Sequence, residues 1–184
     1  MRLILVRHPA PHIDNGICYG RSDVAVAPEE MAKIRIALKT ALPAHVPLYA
    51  SPLRRCTELA SSLARELPAS GLQLDARLAE MDFGSWEMRP WQAIARAEID
   101  AWAADLAHYR PGDGENVLAM TARVHAFLHD LLREPHETAV VLCHAGTIRL
   151  LCALQAGLPL EETALLAASS AHKIAYGAAL SIDF

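Results

Sequence analysis

Three short apolar runs, each ending on residues that carry charge or nucleophilic chemistry, set the strongest limit on how this chain can fold. In Leu3-Ile4-Leu5-Val6-Arg7-His8-Pro9 the four consecutive apolar residues are too few for a stable helix, and with β-branched Ile4 and Val6 they suit a strand buried on both faces. The run stops at Arg7-His8, and Pro9, with no N–H to give a sheet ladder, carries the chain out. Ala139-Val140-Val141-Leu142-Cys143 ends the same way, delivering His144 and then Ala145-Gly146 to the start of a helix. A third run, 46–50, ends at Ser51-Pro52 with Arg54 and Arg55 just beyond. Ligands of open parallel sheets bind outside the carboxyl ends of the strands, so the three exits can converge on one pocket holding two histidines and at least two arginines.

The rest of the chain supplies helices between these strands. Residues 9–27 are rich in turn formers (Pro9, Pro11, Asn15-Gly16, Gly20) and read as a long loop starting at the histidine. Pro28-Glu29-Glu30 is a helix start, with proline where its missing N–H costs nothing and acids at the positive end of the dipole; the helix is expected to run to about residue 42. Pro52 is expected to open a second helix that buries Leu53, Cys56, Leu59, Ala60, Leu63 and Leu67 on one face. A short strand is expected at 71–75 and irregular chain at 77–86. A helical segment is expected at 90–108, and a helix at 116–134 burying Val117, Met120, Val124, Phe127, Leu128 and Leu131. A strand at 138–143, a helix at 147–155 and two final strands, 171–176 and 179–183 joined at Gly177, complete the reading. Strands alternating with helices make an α/β fold, a three-layer α/β/α sandwich with a mostly parallel central sheet. The 184 residues are expected to form a single domain, 1–184, with a helical cap-like segment around 86–114. All three tryptophans, Trp86, Trp91 and Trp102, fall in or near that segment, and plain space filling is assigned to Trp102 more than to Trp86.

Composition excludes several classes of function. No apolar stretch approaches the length of a membrane span, although 53% of the residues are hydrophobic. A formal net charge of −4 argues against a nucleic-acid footprint, so any basic pocket is local. No signal peptide is expected, and the cytoplasm is the expected compartment. Cys18, Cys56, Cys143 and Cys152 lack metal-site or disulfide-framework spacing and read as buried or idle thiols, Cys143 facing the core beside His144. His125 and His129 have helical i, i+4 spacing, yet lie off the apolar stripe with no third ligand, and read as exposed.

The chemistry the exits suggest is phosphoryl transfer. A guanidinium is a planar donor fork that is always charged and matches a phosphate. A neutral imidazole beside it can attack phosphorus, and a carboxylic acid is then needed to protonate the departing alkoxide. Leu5-Val6-Arg7-His8, Tyr19-Gly20-Arg21-Ser22-Asp23, Ser51-Pro52-Leu53-Arg54-Arg55, Leu78 to Glu87, Gly114-Glu115 and Cys143 to Arg149 together resemble the histidine phosphatase superfamily, in its phosphoglycerate-mutase-like branch. The blocks occur in the family's order over nearly the whole chain. The resemblance implies a phosphoglycerate-mutase-like fold and a phosphohistidine mechanism needing no metal and no cofactor. His8 resembles the nucleophile and Glu80 the general acid. Arg7, Arg55 and His144 are similar to the phosphate-binding groups, with His144 donating to phosphoryl oxygens, and Arg54 is expected to be exposed. Asn15, Arg21 and Ala145 are candidate substrate or phosphate contacts, Arg21 either reaching the substrate or pairing with Asp23. Asp23 reads as an acceptor for loop backbone, and Glu115 as stabilising a helix start.

The sequence departs from the family at Pro9, at Ala10-Pro11, at Met88 and at Asp14, where the usual phosphate-contacting asparagine is shifted to Asn15. Within the superfamily the Cys18 to Asp23 and Glu80 to Glu87 blocks resemble most the alpha-ribazole phosphatase group of cobalamin biosynthesis. The expected function is hydrolysis of a small phosphomonoester, with a phosphoglycerate mutase-type phosphotransferase and a catalytically weak phospho-ligand-binding pseudo-enzyme as alternatives. A small phosphorylated substrate is the expected partner, with no nucleic acid and no membrane; a homo-oligomer is compatible with a sequence silent on assembly.

Overall fold

Alternating side-chain direction along β1 (Arg2–Arg7) and β4 (Thr138–Cys143), both largely buried, is what divides the core into two halves. Leu3, Leu5, Ala139 and Val141 face one layer of helices, while Val6, Val140 and Leu142 face the other, as the two-residue period of a strand requires. The computed structural model describes residues 1–68, 71–170 and 174–184. Its sheet also contains β2 (Leu48–Ala50), β3 (Leu72–Leu74) and β5 (Ala179–Asp183), in the order β3-β2-β4-β1-β5. All neighbours pair in parallel except β5, which closes the edge antiparallel to β1. On one face lie α1 (Pro28–Ala41) and α2 (Arg54–Glu66), burying Ile34, Leu38, Leu59 and Leu63. On the other lie α4 (Val117–Leu131), α5 (Ala145–Leu154) and α6 (Leu160–Ser169). The three-layer α/β architecture expected from the sequence is the one found.

Four local expectations change. The second helix starts at Arg54 rather than Pro52, because Leu53 stays extended and the Asp23 carboxylate, reaching in from the long loop, accepts the Arg54 N–H at 2.7 Å. The 90–108 segment is not one helix: a 3₁₀ turn, Trp91–Ala93, and α3 (Arg96–Ala104) are separated by extended Ile94 and Ala95, and Ile94 is buried against Cys18 and Trp86. Of the expected strand at 171–176, residues 171–173 lie outside the described residues, and 174–176 form no strand because they turn back at Gly177 (φ +70°) onto the Arg7 and His8 carbonyls. Finally α6 has no counterpart in the sequence reading. Its signal was present in Pro159 followed by Glu161 and Glu162, much the pattern that marks α1.

The chain at 82–86 meets the chain at 111–114 backbone to backbone. The 3₁₀ turn Gly84–Trp86 packs on the turn Pro111–Asp113 so closely that a Cβ on Gly84 would stand 2.0 Å from the Gly112 carbonyl oxygen. A Cβ on Gly114 would stand 2.2 Å from that of Asp82. Gly114→Ala is expected to destabilise the protein by about 1–3 kcal/mol, the usual cost of overpacking; urea unfolding checks this, and an unchanged midpoint would refute the close contact.

Candidate active site

Register brings the three strand exits together. Arg7 pairs with Cys143 and Ala50 with Leu142, and the ladder continues past the strands as His8 N–H donates to the Cys143 carbonyl (3.1 Å) and Ser51 N–H to that of Leu142 (3.0 Å). His8, His144 and Ser51 therefore emerge side by side. The two imidazole centroids are 5.0 Å apart. Arg7, His8, Arg55 and Glu80 line one cavity of about 380 Å³, within the range of small-molecule sites.

His8 is buried, and its Nδ1 lies 2.7 Å from the Pro9 carbonyl oxygen. A carbonyl only accepts, so Nδ1 carries the proton and Nε2 keeps its lone pair. Burial first, then the Arg55 charge, push its pKa down from 6.5 to about 3, against the opposing pull of the Pro9 hydrogen bond; Arg7 adds to the depression. The imidazole is thus neutral throughout the physiological range.

Arg55 is fully buried although it sits in the first turn of α2, where the helix dipole disfavours a cation. Its Nη1 and Nη2 donate to the Ser22 and Gly20 carbonyls at 2.7 and 2.6 Å, and its Nε donates to His144 Nδ1 at 3.3 Å. No carboxylate pairs with it among the described residues. The loop that supplies those carbonyls is stapled by Glu87, whose carboxylate accepts the N–H groups of Arg21, Ser22 and Phe83. Arg7 also lacks a carboxylate partner among the described residues: Nη1 donates to the Ile174 carbonyl, and the guanidinium lies 3.7 Å from the Tyr176 ring centroid.

Glu80 is held by backbone donors, Gly146 N–H to Oε2 at 3.0 Å and Met81 N–H to Oε1 at 3.1 Å. A Cβ at position 146 would lie 2.3 Å from Glu80 Oε1, so any larger residue there would displace the carboxylate from this position. Arg123 fixes the segment before the acid by donating to the carbonyls of Arg77 and Ala79, both at 2.7 Å, while the Glu115 carboxylate grips its other edge. Glu115 therefore acts on Arg123 instead of a helix start, where Asn116 is the cap.

His144 does not line the cavity. It is fully buried, accepts from Arg55 at Nδ1, and places Nε2 2.7 Å from Ser51 Oγ, so both ring nitrogens are already committed to protein groups. Burial and the Arg55 charge hold its pKa well below 6.5. His144 thus braces Arg55 in this structure, with its ring centroid 5.0 Å from that of His8. Asn15 is exposed and Ala145 is absent from the cavity wall, its neighbour Gly146 taking that place. Arg21 is exposed and faces Asp82 at 3.8 Å, not Asp23. Arg54 is exposed, paired with Glu58. His125 and His129 are exposed on α4.

The tryptophans reverse the sequence assignment. Trp86 is fully buried, its indole N–H donating to Glu98 at 2.7 Å, while Trp91 and Trp102 stack at 6° and line the cavity with Phe83. Sequence reading also passed over Tyr19, Tyr176 and Arg149. Tyr19 and Arg149 sit inside blocks already singled out, but Tyr176 lies in a plain alanine-rich tail and only the fold brings it to Arg7. Among the described residues the buried side-chain donors without a partner are Arg7 Nε, Trp102 Nε1 and Arg149 Nε, and all three residues line this cavity. Buried donors are normally satisfied, so unpartnered ones gathered round a single hollow suit it to an acceptor-rich ligand.

Unpaired guanidiniums beside a neutral imidazole, at the carboxyl ends of a mostly parallel sheet, define an enzyme of phosphate ester chemistry. Comparison with known proteins makes that class specific. Residues 3–175 match the model of the histidine phosphatase superfamily (branch 1), and the chain belongs to that family, as a phosphoric monoester hydrolase. It is 29% identical over 172 residues to an adenosylcobalamin/alpha-ribazole phosphatase of Salmonella typhimurium, covering 86% of this chain and 81% of that one. It is 28% identical over 166 residues to a Hydrogenobacter thermophilus protein assigned as phosphoserine phosphatase 2, covering 88% and 81%. The crystal structure of an alpha-ribazole phosphatase from Shigella flexneri superposes with a TM-score of 0.79 at 27% identity, over 100% of this chain and 90% of that one.

The pKa directions give a test. On acidification, the Cε1–H proton resonances of His8 and His144 are expected to stay at neutral-imidazole positions from about pH 8 to about pH 5, where an unperturbed histidine would already have titrated near 6.5. The linked stability is full above pH 6.5 and falls as the pH drops toward about 3, since only the unfolded chain takes up the His8 proton in that window. A midpoint near 6.5 for either resonance would refute the buried, arginine-flanked environment.

Proposed function

We propose that this protein hydrolyses a small phosphomonoester through a phosphohistidine formed on His8, with alpha-ribazole phosphate as the favoured substrate. The observation that carries the reading is the pair of guanidiniums, Arg7 and Arg55, that flank a neutral histidine without carboxylate partners among the described residues. A phosphate dianion supplies the counter-charge, and each fork has donors left for its oxygens.

The reaction then balances on this chain's own groups. The His8 Nε2 lone pair forms the N–P bond as the ester P–O bond breaks. The departing oxygen takes a proton from the Glu80 carboxylic acid, while the Pro9 carbonyl steadies the Nδ1–H of the charging ring. In the second step water attacks phosphorus, gives its proton to the Glu80 carboxylate, and the N–P bond breaks to return neutral His8 and inorganic phosphate. The guanidiniums provide the charge that a metal would otherwise supply.

The rest of the cavity wall favours a flat, uncharged alcohol. Phe83, Trp91, Trp102, Met81, Met120 and Leu150 make it apolar. The cation in that wall, Arg149, has its Nη2 engaged with the carbonyls of Ala167, Ala168 and Ser170 at the end of α6, capping that helix, and its buried Nε is left without a partner among the described residues. Alpha-ribazole, a bicyclic aromatic base on ribose, suits such a wall, and it is the substrate named for the Salmonella typhimurium and Shigella flexneri relatives. Phosphoserine and phosphoglycerate bring no aromatic surface to match Phe83, Trp91 and Trp102.

An aryl phosphate assay in EDTA is expected to show turnover and acid-labile phosphate trapped on the protein, with His8→Ala slower by at least about 10³-fold. Turnover by His8→Ala equal to the wild type would sink the mechanism. In a panel with phosphoserine and 3-phosphoglycerate, alpha-ribazole phosphate is expected to have the highest kcat/KM, and Trp102→Ala to lower it by about ten-fold. Phosphoryl return to glycerate with a bisphosphoglycerate primer would replace hydrolase by mutase.

A further inference from the structure

Two tyrosines cover the arginine end of the site. The Tyr176 ring lies 3.7 Å from Arg7 Cζ and 5.5 Å from the His8 ring. Tyr19, from the loop after β1, stands in the cavity wall with Arg55 Cζ 5.6 Å from its ring. Their hydroxyls meet at 2.5 Å, so each guanidinium has one ring over it and the two rings are tied together.

The segment bearing Tyr176 is fastened to the same two residues it covers. Ile174 accepts from Arg7 Nη1, and Gly177 N–H donates to the backbone carbonyls of Arg7 (3.1 Å) and His8 (3.2 Å). Gly177 adopts φ +70°, and a Cβ there would stand 2.4 Å from Ile34 Cδ1, which fixes the turn in place. A long, rotamer-rich side chain such as arginine binds an anion better when its geometry is set beforehand, and an aromatic face holds a guanidinium plane without neutralising its charge. A carboxylate in the same place would fix Arg7 equally well but would compete with the phosphate.

We propose that Tyr176 is a positioning residue that sets the plane of the Arg7 guanidinium for the phosphate, and that its hydroxyl bridge to Tyr19 couples the Arg7 and Arg55 sides into one rigid clamp. The inference rests on the phosphatase reading above, and its test separates the two. Inorganic phosphate binding, measured by calorimetry, and aryl phosphate kinetics are compared in the wild type, Tyr176→Leu, Tyr176→Phe, Tyr19→Phe and the double Phe variant. Folding of each is checked by circular dichroism and thermal melting.

Tyr176→Leu, which fills the space without a π face, is expected to bind phosphate about ten-fold more weakly and to raise KM more than it lowers kcat. Tyr176→Phe keeps the ring and is expected to recover most of that loss. Tyr19→Phe is expected to match Tyr176→Phe, with the double variant no worse than either, as for two groups acting through one bond. A folded Tyr176→Leu that binds phosphate like the wild type overturns the positioning role, as does a Tyr176→Phe equally impaired. Additive losses in the double variant overturn the coupling, and this arm stands even if Tyr176→Leu fails to fold. A wild type that neither binds phosphate nor turns over aryl phosphate overturns the phosphatase reading and this inference with it.

Discussion

The buried charge of Arg55 is the constraint from which most of this site follows. A guanidinium taken fully out of water is costly unless its donors are satisfied, and a carboxylate partner is the usual solution. Here the donors meet two loop carbonyls and an imidazole nitrogen, all uncharged, so the hydrogen bonds are answered while the charge is not. That leaves a standing positive potential beside His8, which both draws an anion and holds the imidazole neutral. One electrostatic choice thus sets the affinity and the nucleophile together.

Keeping such a group in place demands supports that have nothing to do with phosphate. Glu87 holds the Arg21-Ser22 backbone, whose flanking carbonyls receive Arg55; Asp23 accepts the first N–H of α2 and offsets the cation at a helix start; Ser51 and His144 brace the Nε edge. Gly20 belongs to this scaffold because a Cβ there would meet the Met81 carbonyl oxygen at 1.9 Å, which brings the arginine-holding loop directly against the chain that carries Glu80. His144 is best understood in the same terms. With Nδ1 on Arg55 and Nε2 on Ser51, it holds the Nε edge of the arginine.

These relations explain what the sequence could and could not reveal. Strand ends are legible because short β-branched runs have one sensible fate, and so Arg7, His8 and the 51–55 block could be placed at one edge from pattern alone. The resemblance carried Glu80 to the same cavity. What pattern cannot encode is which way a ring turns after the chain has been bent by long-range packing. Trp86 and Trp102 have the same composition-level meaning, yet Ile94 breaks the segment between them and reverses which one is core and which one is wall. Tyr176 is less legible still, since its neighbours in sequence are alanine, glycine and isoleucine, and its relation to Arg7 exists only because β5 pairs with β1. α6 was missed for a different reason: its start signal was present but outweighed by an alanine-rich composition with no apolar period.

The proposed nucleophile and the proposed acid are anchored on separate parts of the fold, and this bears on how an ester would be placed between them. His8 extends from the end of β1, its N–H continuing the ladder to the Cys143 carbonyl. Glu80 is set by the amino end of α5 through Gly146 and by α4 through the Arg123 grip on the carbonyls before it. Both helices pack against the sheet through the core, where Val124, Phe127 and Ile148 are buried, and this packing relates the two anchors. In the proposed reaction a phosphomonoester bound between them would place phosphorus toward His8 and its bridging oxygen toward Glu80. What remains for the apolar wall is to accept the alcohol while keeping water from solvating the arginine charge, which in a low-dielectric surround acts on the phosphate at greater strength.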